Sequence, residues 1–220
     1  MKRTFVSILS LILLFALAGC FALEEPEAAS GDAEAESVEA VEEATVYTID
    51  SEQSEARFLI DEVLRGEDVT VVGVSNNVAG EIAVDFDNPS TATVGEIVIN
   101  ARNFATDNNF RNNAVQGRIL RTNDYEFVTF TPTSLSGLPD TITIGAPYTF
   151  QILGALTTTD VTNEVTFEAT VTPTSETELT GLATADILYA DWNLTIPFSQ
   201  AVDAVEDNVI LELEFVATAQ

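Results

Sequence analysis

The 220-residue chain has no histidine and one cysteine, and its only lysine is Lys2. Without imidazole, Ser-His-Asp and Cys-His arrangements, histidine zinc sites and imidazole acid–base catalysis are excluded. Carboxylates remain, with 36 Asp and Glu against 8 Lys and Arg, and they are so numerous that closeness in sequence singles out no pair. Asp186 and Asp191, which flank Tyr189, read as strand-end or turn residues. The oxygen-rich runs Asp85/Asp87/Asn88 and Asp107/Asn108/Asn109 lack the spaced glycine and late glutamate of a calcium loop. They read instead as a turn and as helix capping by Asp107. Phosphate-cradling glycine loops are missing. The expectation is no catalytic residue, no metal, no cofactor and no enzymatic activity.

The elements begin with a leader. Lys2 and Arg3 precede an apolar run from Val6 to Leu17 that ends in Ala18 and Gly19 before Cys20, the pattern of an export signal. The run is too short to span a bilayer, which takes about 20 apolar residues. Leu17-Ala18-Gly19-Cys20 resembles the bacterial lipobox, so residues 1–19 are expected to be removed and Cys20 to be lipidated, anchoring the exported chain to a bacterial membrane and facing the periplasm or the exterior. A thiol is the nucleophile that can carry a diacylglyceryl thioether. With one cysteine no disulfide framework exists, and in an exported bacterial chain the sequon Asn193-Leu194-Thr195 carries no weight. The mature chain keeps 36 acids and six arginines, a net charge of −30. Such a surface repels nucleic acid and anionic headgroups alike, so no nucleic-acid partner is expected. The scarcity of lysine also fits salty surroundings.

From residue 21 to 45 the chain is Glu, Ala, Ser and Gly with one proline, too poor in apolar residues to offset ordering entropy. It reads as a self-repelling, disordered tether that holds the folded part away from the membrane. From 46 to 220 period-two alternation runs between turn signals, consistent with one all-β domain. Strands are expected at 54–62, 68–73, 78–86, 93–101, 127–134, 147–156, 161–172, 180–190 and 208–217. Ala56, Phe58 and Ile60 fall on one face and Arg57 and Asp61 on the other; Val78, Gly80, Ile82, Val84 and Phe86 repeat the pattern. Turns such as Asp87-Asn88-Pro89-Ser90, Ser136-Gly137-Leu138-Pro139-Asp140 and Gly145-Ala146-Pro147 favour antiparallel connections. One short helix, about Asp107 to Leu120, carries Phe110, Ala114, Gly117 and Leu120 on one side. The pattern fits a closed barrel or a sandwich, and a barrel is the preferred reading.

Several motifs resemble those of the YceI-like family of exported bacterial proteins. Tyr47-Thr48-Ile49-Asp50 with Ser54-Glu55-Ala56-Arg57-Phe58 is similar to its first hairpin, and Asn77-Val78-Ala79-Gly80-Glu81-Ile82 to its glycine-centred second motif. Thr106-Asp107-Asn108-Asn109-Phe110-Arg111-Asn112 resembles its helix entry, and Tyr125 to Phe130 the strand after it. The most specific stretch is Gly154-Ala155-Leu156-Thr157 through Asp160 to Phe167, and Asp191-Trp192-Asn193-Leu194 stands where the family has Asp-Phe-Gly-hydrophobic. Gln53, Asn112 and Ala155 depart from the pattern, where histidine, aspartate and an acid are usual.

The resemblance covers about residues 46–217 and implies a lipocalin-like antiparallel β-barrel whose interior takes a polyisoprenoid or other amphiphilic, fatty-acid-like ligand. A barrel of about eight strands has room for one small ligand. At about 0.8 kcal/mol per buried methylene, a ten-carbon chain gains about 8 kcal/mol before association costs, in the micromolar range. The expected contacts are Phe58, Ile60, Phe86, Ile97, Phe110, Phe130, Phe150, Ile152, Phe167, Leu188 and Trp192, with the helix plugging one end. A carrier or sequestering protein is the leading expectation. The rival is a packed barrel acting through its acidic surface as an envelope interaction or stress-related module. A void above about 300 Å³, the lower end for ligand pockets, separates the two.

Overall fold

The structure is a computed structural model and describes residues 26–220; the leader and Cys20 lie outside the described residues. The first strand, β1 (Thr45–Ile49), runs almost directly into β2 (Glu55–Leu64) through a 3-10 turn at Ser51–Gln53. Asp50 caps that turn by accepting from the Glu52 N–H. Arg65 and Gly66, both at positive φ, turn the chain into β3 (Glu67–Ser75), the backbone pair that a two-residue hairpin of primed type requires. β4 (Val78–Ala79) and β5 (Glu81–Val84) flank Gly80, and β6 (Thr93–Val94) and β7 (Ile97–Asn100) form a second interrupted strand. Four long strands follow: β8 (Phe127–Ser136), β9 (Tyr148–Thr158), β10 (Val161–Ser175) and β11 (Glu178–Leu188). Short β12 (Val202–Val205) precedes β13 (Asn208–Ala219).

Pairing is antiparallel throughout, in the order β4-β7-β8-β9-β10-β11-β13-β1-β5-β6, with β2 between β13 and β3 and also paired with β12. Since β4 and β5 are one stretch of chain across Gly80, the series returns to its start. The sheet therefore curls into a barrel and does not split into two facing layers. All nine expected strands are present, and β1 and β12 are additional. The strand expected at 78–86 breaks at Gly80 and stops at Val84.

Only one end of the barrel is filled. There Tyr47, Leu179 and Ala217 are buried, and the Tyr47 hydroxyl donates to the Glu176 carbonyl at 2.8 Å.

The helix is shorter than its sequence pattern: α1 (Asn109–Ala114) passes into one π turn at Val115–Ile119. Its cap is Asn108, whose side chain accepts from the Phe110 and Arg111 N–H groups; Asp107, the expected cap, pairs with the Arg111 guanidinium instead.

The segment read as a free tether also differs, as far as it is described. Residues 26–44 lie along the barrel wall. The backbone N–H groups of Glu27, Ser30, Ala33 and Val38 donate to side-chain oxygens of Asn123, Glu126, Asn77 and Glu81 at 2.9, 2.7, 2.5 and 2.9 Å. In return, Arg102 donates to the Ala28 carbonyl and Asn100 to that of Gly31. Composition measures apolar burial, whereas this strap is held by its peptide groups, which every residue carries.

Candidate functional site

Below the filled end the inward faces of the strands surround a cavity of about 630 Å³. That is well inside the range of small-molecule sites, about 300–1,000 Å³. Its wall draws on every long strand: Phe58 and Ile60 from β2, Ile97 from β7, Phe130 from β8, Ile152 and Leu156 from β9, Phe167 from β10, Ala183 from β11 and Leu211, Leu213 and Phe215 from β13. The exposed members of the wall are Arg65, Asn108, Phe110, Arg118, Phe198 and Ser199. They come from the β2–β3 turn, the helical segment and the loop after Trp192, so these three pieces form the mouth.

The hollow persists because large side chains lie flat against the wall. A Cβ on Gly73 would sit 2.0 Å from the Phe58 ring, and one on Gly154 would sit 2.5 Å from the Phe130 ring. Phe58 faces Gly73 directly in the β2–β3 ladder. Phe130 is further fixed edge-on against Phe167, with ring centroids 4.9 Å apart. A glycine in the neighbouring strand thus provides the seat that keeps each ring out of the lumen.

Seven of the eleven residues expected at the ligand line this cavity: Phe58, Ile60, Ile97, Phe110, Phe130, Ile152 and Phe167. Four do not. Phe86 lies past the end of β5 and stacks on Tyr47, with centroids 6.3 Å apart. Phe150 shares the inward face of β9 with Ile152 but sits nearer the filled end and packs into the core. Leu188 has the wrong parity: Ile187 faces the cavity, and Leu188 is 47% exposed. Trp192 is buried in the turn after β11, where its indole N–H donates to the Leu156 carbonyl at 3.0 Å.

The acids of the wall are paired. Glu62, which is buried, meets Arg111 at 2.7 Å, and Glu212 meets Arg57 at 3.1 Å. One buried side-chain group of the wall has no partner: the Thr158 hydroxyl, at the end of β9. Among the described residues no group of three or more Cys, Asp or Glu is placed to hold a metal.

An antiparallel barrel with this cavity agrees with what the motifs imply, and the model of the YceI-like domain matches residues 47–217. The chain belongs to the YceI-like family. No curated protein matches it in sequence, but solved structures share the fold. A polyisoprenoid binding domain from Saccharophagus degradans, implicated in plant cell wall breakdown, is 14% identical with a TM-score of 0.60, over 80% of this chain and 99% of that one. BcnA of Burkholderia cenocepacia is 18% identical with a TM-score of 0.62, over 77% and 99%. The Campylobacter jejuni YCEI protein is 16% identical with a TM-score of 0.54, over 67% and 84%.

In this YceI-like protein the three departures from the family pattern all lie off the cavity wall. Gln53 binds Asp50 in the exposed turn between β1 and β2, and the Asn112 side-chain oxygen accepts from Thr106 before the helix. Ala155 alternates with the inward Leu156 on β9. None alters the polarity of the interior. The wall residues that sequence reading overlooked divide into two kinds. Leu211, Leu213 and Phe215 alternate with Glu212 and Glu214 and were readable as an inward face. Phe198 sits in a loop without periodicity, and only the apolar triplet Ile196-Pro197-Phe198 marks it.

Proposed function

We propose that this protein is a membrane-anchored, extracytoplasmic carrier or sequestering protein that holds an apolar or amphiphilic chain, a polyisoprenoid or a fatty-acid-like molecule, inside its barrel. The observation that carries this reading is the 630 Å³ cavity, with an almost wholly hydrocarbon wall, inside the barrel. Its volume is about twice the lower limit for ligand sites, which favours binding over the rival reading of a packed barrel acting through its surface. The relative from Saccharophagus degradans is a polyisoprenoid binding domain, which supports the ligand class.

The protein acts without catalysis in this reading. It has no histidine, and the acids of the cavity wall, Glu62 and Glu212, are engaged by arginines. The unpartnered Thr158 hydroxyl offers one hydrogen bond to a polar group on the guest, consistent with an amphiphile. The anchor and the extracytoplasmic location rest on the leader and Cys20. Metabolic labelling with palmitate tests them, with incorporation abolished by Cys20→Ser.

Native mass spectrometry with lipid extraction, applied to the protein purified from its own host, tests the carrier reading. The expected result is a chain-like lipid released in near one-to-one amount. Protein that is consistently empty counts against it.

A further inference from the structure

The strap has a direction. From β1 at the filled end, the Glu39 carbonyl accepts from Thr93, Val38 packs beside Gly95, and Gly31 reaches Asn100 at the end of β7. Glu27 then pairs with Arg102, and Pro26 Cγ lies 3.7 Å from where a Cβ would stand on Gly117. Gly117 belongs to the π turn whose Val115, Arg118 and Ile119 line the cavity. The described chain therefore begins beside the mouth. Only residues 21–25 separate it from Cys20, so at about 3.5 Å per residue an anchor there is within about 20 Å of the mouth. The filled end lies the whole length of the strap away.

The mouth itself is built unlike the rest of the surface. Phe110 and Phe198 are each 88% exposed, the highest values among the exposed large hydrophobic residues, and both belong to the cavity wall. Of the six arginines beyond the leader, Arg57, Arg65, Arg111 and Arg118 border the cavity. Arg57 and Arg111 are ion-paired, whereas Arg65 and Arg118 are exposed and form no ion pair among the described residues. Aromatic rings with unpaired cations beside them match a lipid interface, where rings enter the acyl boundary and guanidinium groups meet phosphates.

We propose that the open end of the barrel docks on a lipid bilayer: the strap aims it there, Phe110 and Phe198 enter the acyl boundary, and Arg65 and Arg118 contact headgroup phosphates. This rests on the anchored reading above and deepens it, because a short leash that faces the mouth toward the membrane lets a guest pass between bilayer and cavity without crossing water. It reverses the expectation of a tether that stands the barrel off.

Cys20 is the only cysteine, so the chain from residue 20, which retains every strand and the strap, can be coupled through it to maleimide-bearing lipid in phosphatidylcholine vesicles. Phe110→Trp and Phe198→Trp report insertion, and the unsubstituted chain, whose Trp192 is buried, is the control. With brominated acyl chains in the vesicles, the indole at position 110 or 198 is expected to lose at least half its emission while the control changes little. Breaking the strap with Asn77→Ala and Glu126→Ala together should restore most of that emission.

Indoles quenched by aqueous acrylamide and untouched by bromine overturn the proposal, as does a dimer in solution that disappears with Phe110→Ser and Phe198→Ser. Quenching that survives in the strap variant overturns the strap's part. Chemical coupling makes the result independent of lipidation in the cell and of cavity occupancy. Protein that carries lipid but shows no quenching therefore loses the docking proposal alone.

Discussion

The two ends of this barrel are made from the same strands by the same period-two rule, yet one is solid and the other hollow. At the filled end Tyr47 and Ala217 are at most 1% exposed, so one large ring packed against small residues closes the lumen. Toward the mouth, Phe58 and Phe130 lie over glycines and leave the lumen open. Filling thus depends on which residue stands across the ladder from each ring, not on how many apolar residues a strand carries. The mouth end also concentrates what a packed core avoids: exposed rings, paired buried charge and an unsatisfied hydroxyl.

The sharpest test removes one ring from each end. Tyr47→Ala deletes a fully buried side chain and its hydrogen bond to Glu176, and it should lower unfolding free energy by about 3–5 kcal/mol. Phe58→Ala, whose ring already borders open space, should cost roughly half as much, since it leaves less new cavity behind. Urea unfolding of both variants measures the contrast. Equal losses would mean that the two ends are packed alike.

Gly154→Val attacks the hollow by adding bulk. Its Cβ alone would meet the Phe130 ring at 2.5 Å and the Thr131 carbonyl at 2.7 Å, so the ring must swing into the lumen. Overpacking of this kind costs about 1–3 kcal/mol. The more telling consequence is a lower amount of lipid carried per protein, read by extraction and mass spectrometry. Undiminished loading would show that the seat under Phe130 does not set the free space.

The strand wall was largely legible because alternation is a local signal. Phe58, Ile60, Ile152 and Phe167 lie on inward faces that their neighbours already indicate. Legibility failed where a third dimension intervenes. Phe150 has the right parity but the wrong height in the barrel, and height depends on register between strands. Leu188 and Phe86 sit at strand ends, where one residue of shift reverses or ends the alternation. The strap was hidden for a different reason: its contacts run from backbone to side chain, and acidic composition says nothing about whether Asn77, Asn123 and Glu126 will present acceptors to it.

Thr158→Val isolates the unsatisfied hydroxyl. Replacing it with a methyl group of similar shape removes a desolvated donor, so the empty protein should gain about 1 kcal/mol. Retention should fall for a guest that uses that hydrogen bond and remain unchanged for plain hydrocarbon. Calorimetry of delipidated protein with a fatty alcohol and with the corresponding alkane distinguishes the two. A loss of stability in the empty variant would mean that the hydroxyl is already satisfied.

The mildest perturbation separates strap from barrel. Burial alone would raise the Glu126 carboxyl, but hydrogen bonds from Ser30 and Asn100 and the Arg102 charge together hold it below its ordinary value of 4.5. A carboxylate with a depressed folded-state pKa contributes fully above that ordinary value and loses its contribution as pH falls through the folded one. The latch is therefore closed at neutral pH, weakens only below about pH 4.5, and opens the strap before the strands unfold. Amide exchange of Ser30, taken relative to that of Phe167 in the centre of the β9–β10 ladder, should show protection falling in this acid window. Glu126→Gln should flatten the response because an amide does not titrate there. If protection at Ser30 and Phe167 falls together, the strap is part of the barrel's cooperative unit and not a separable layer upon it.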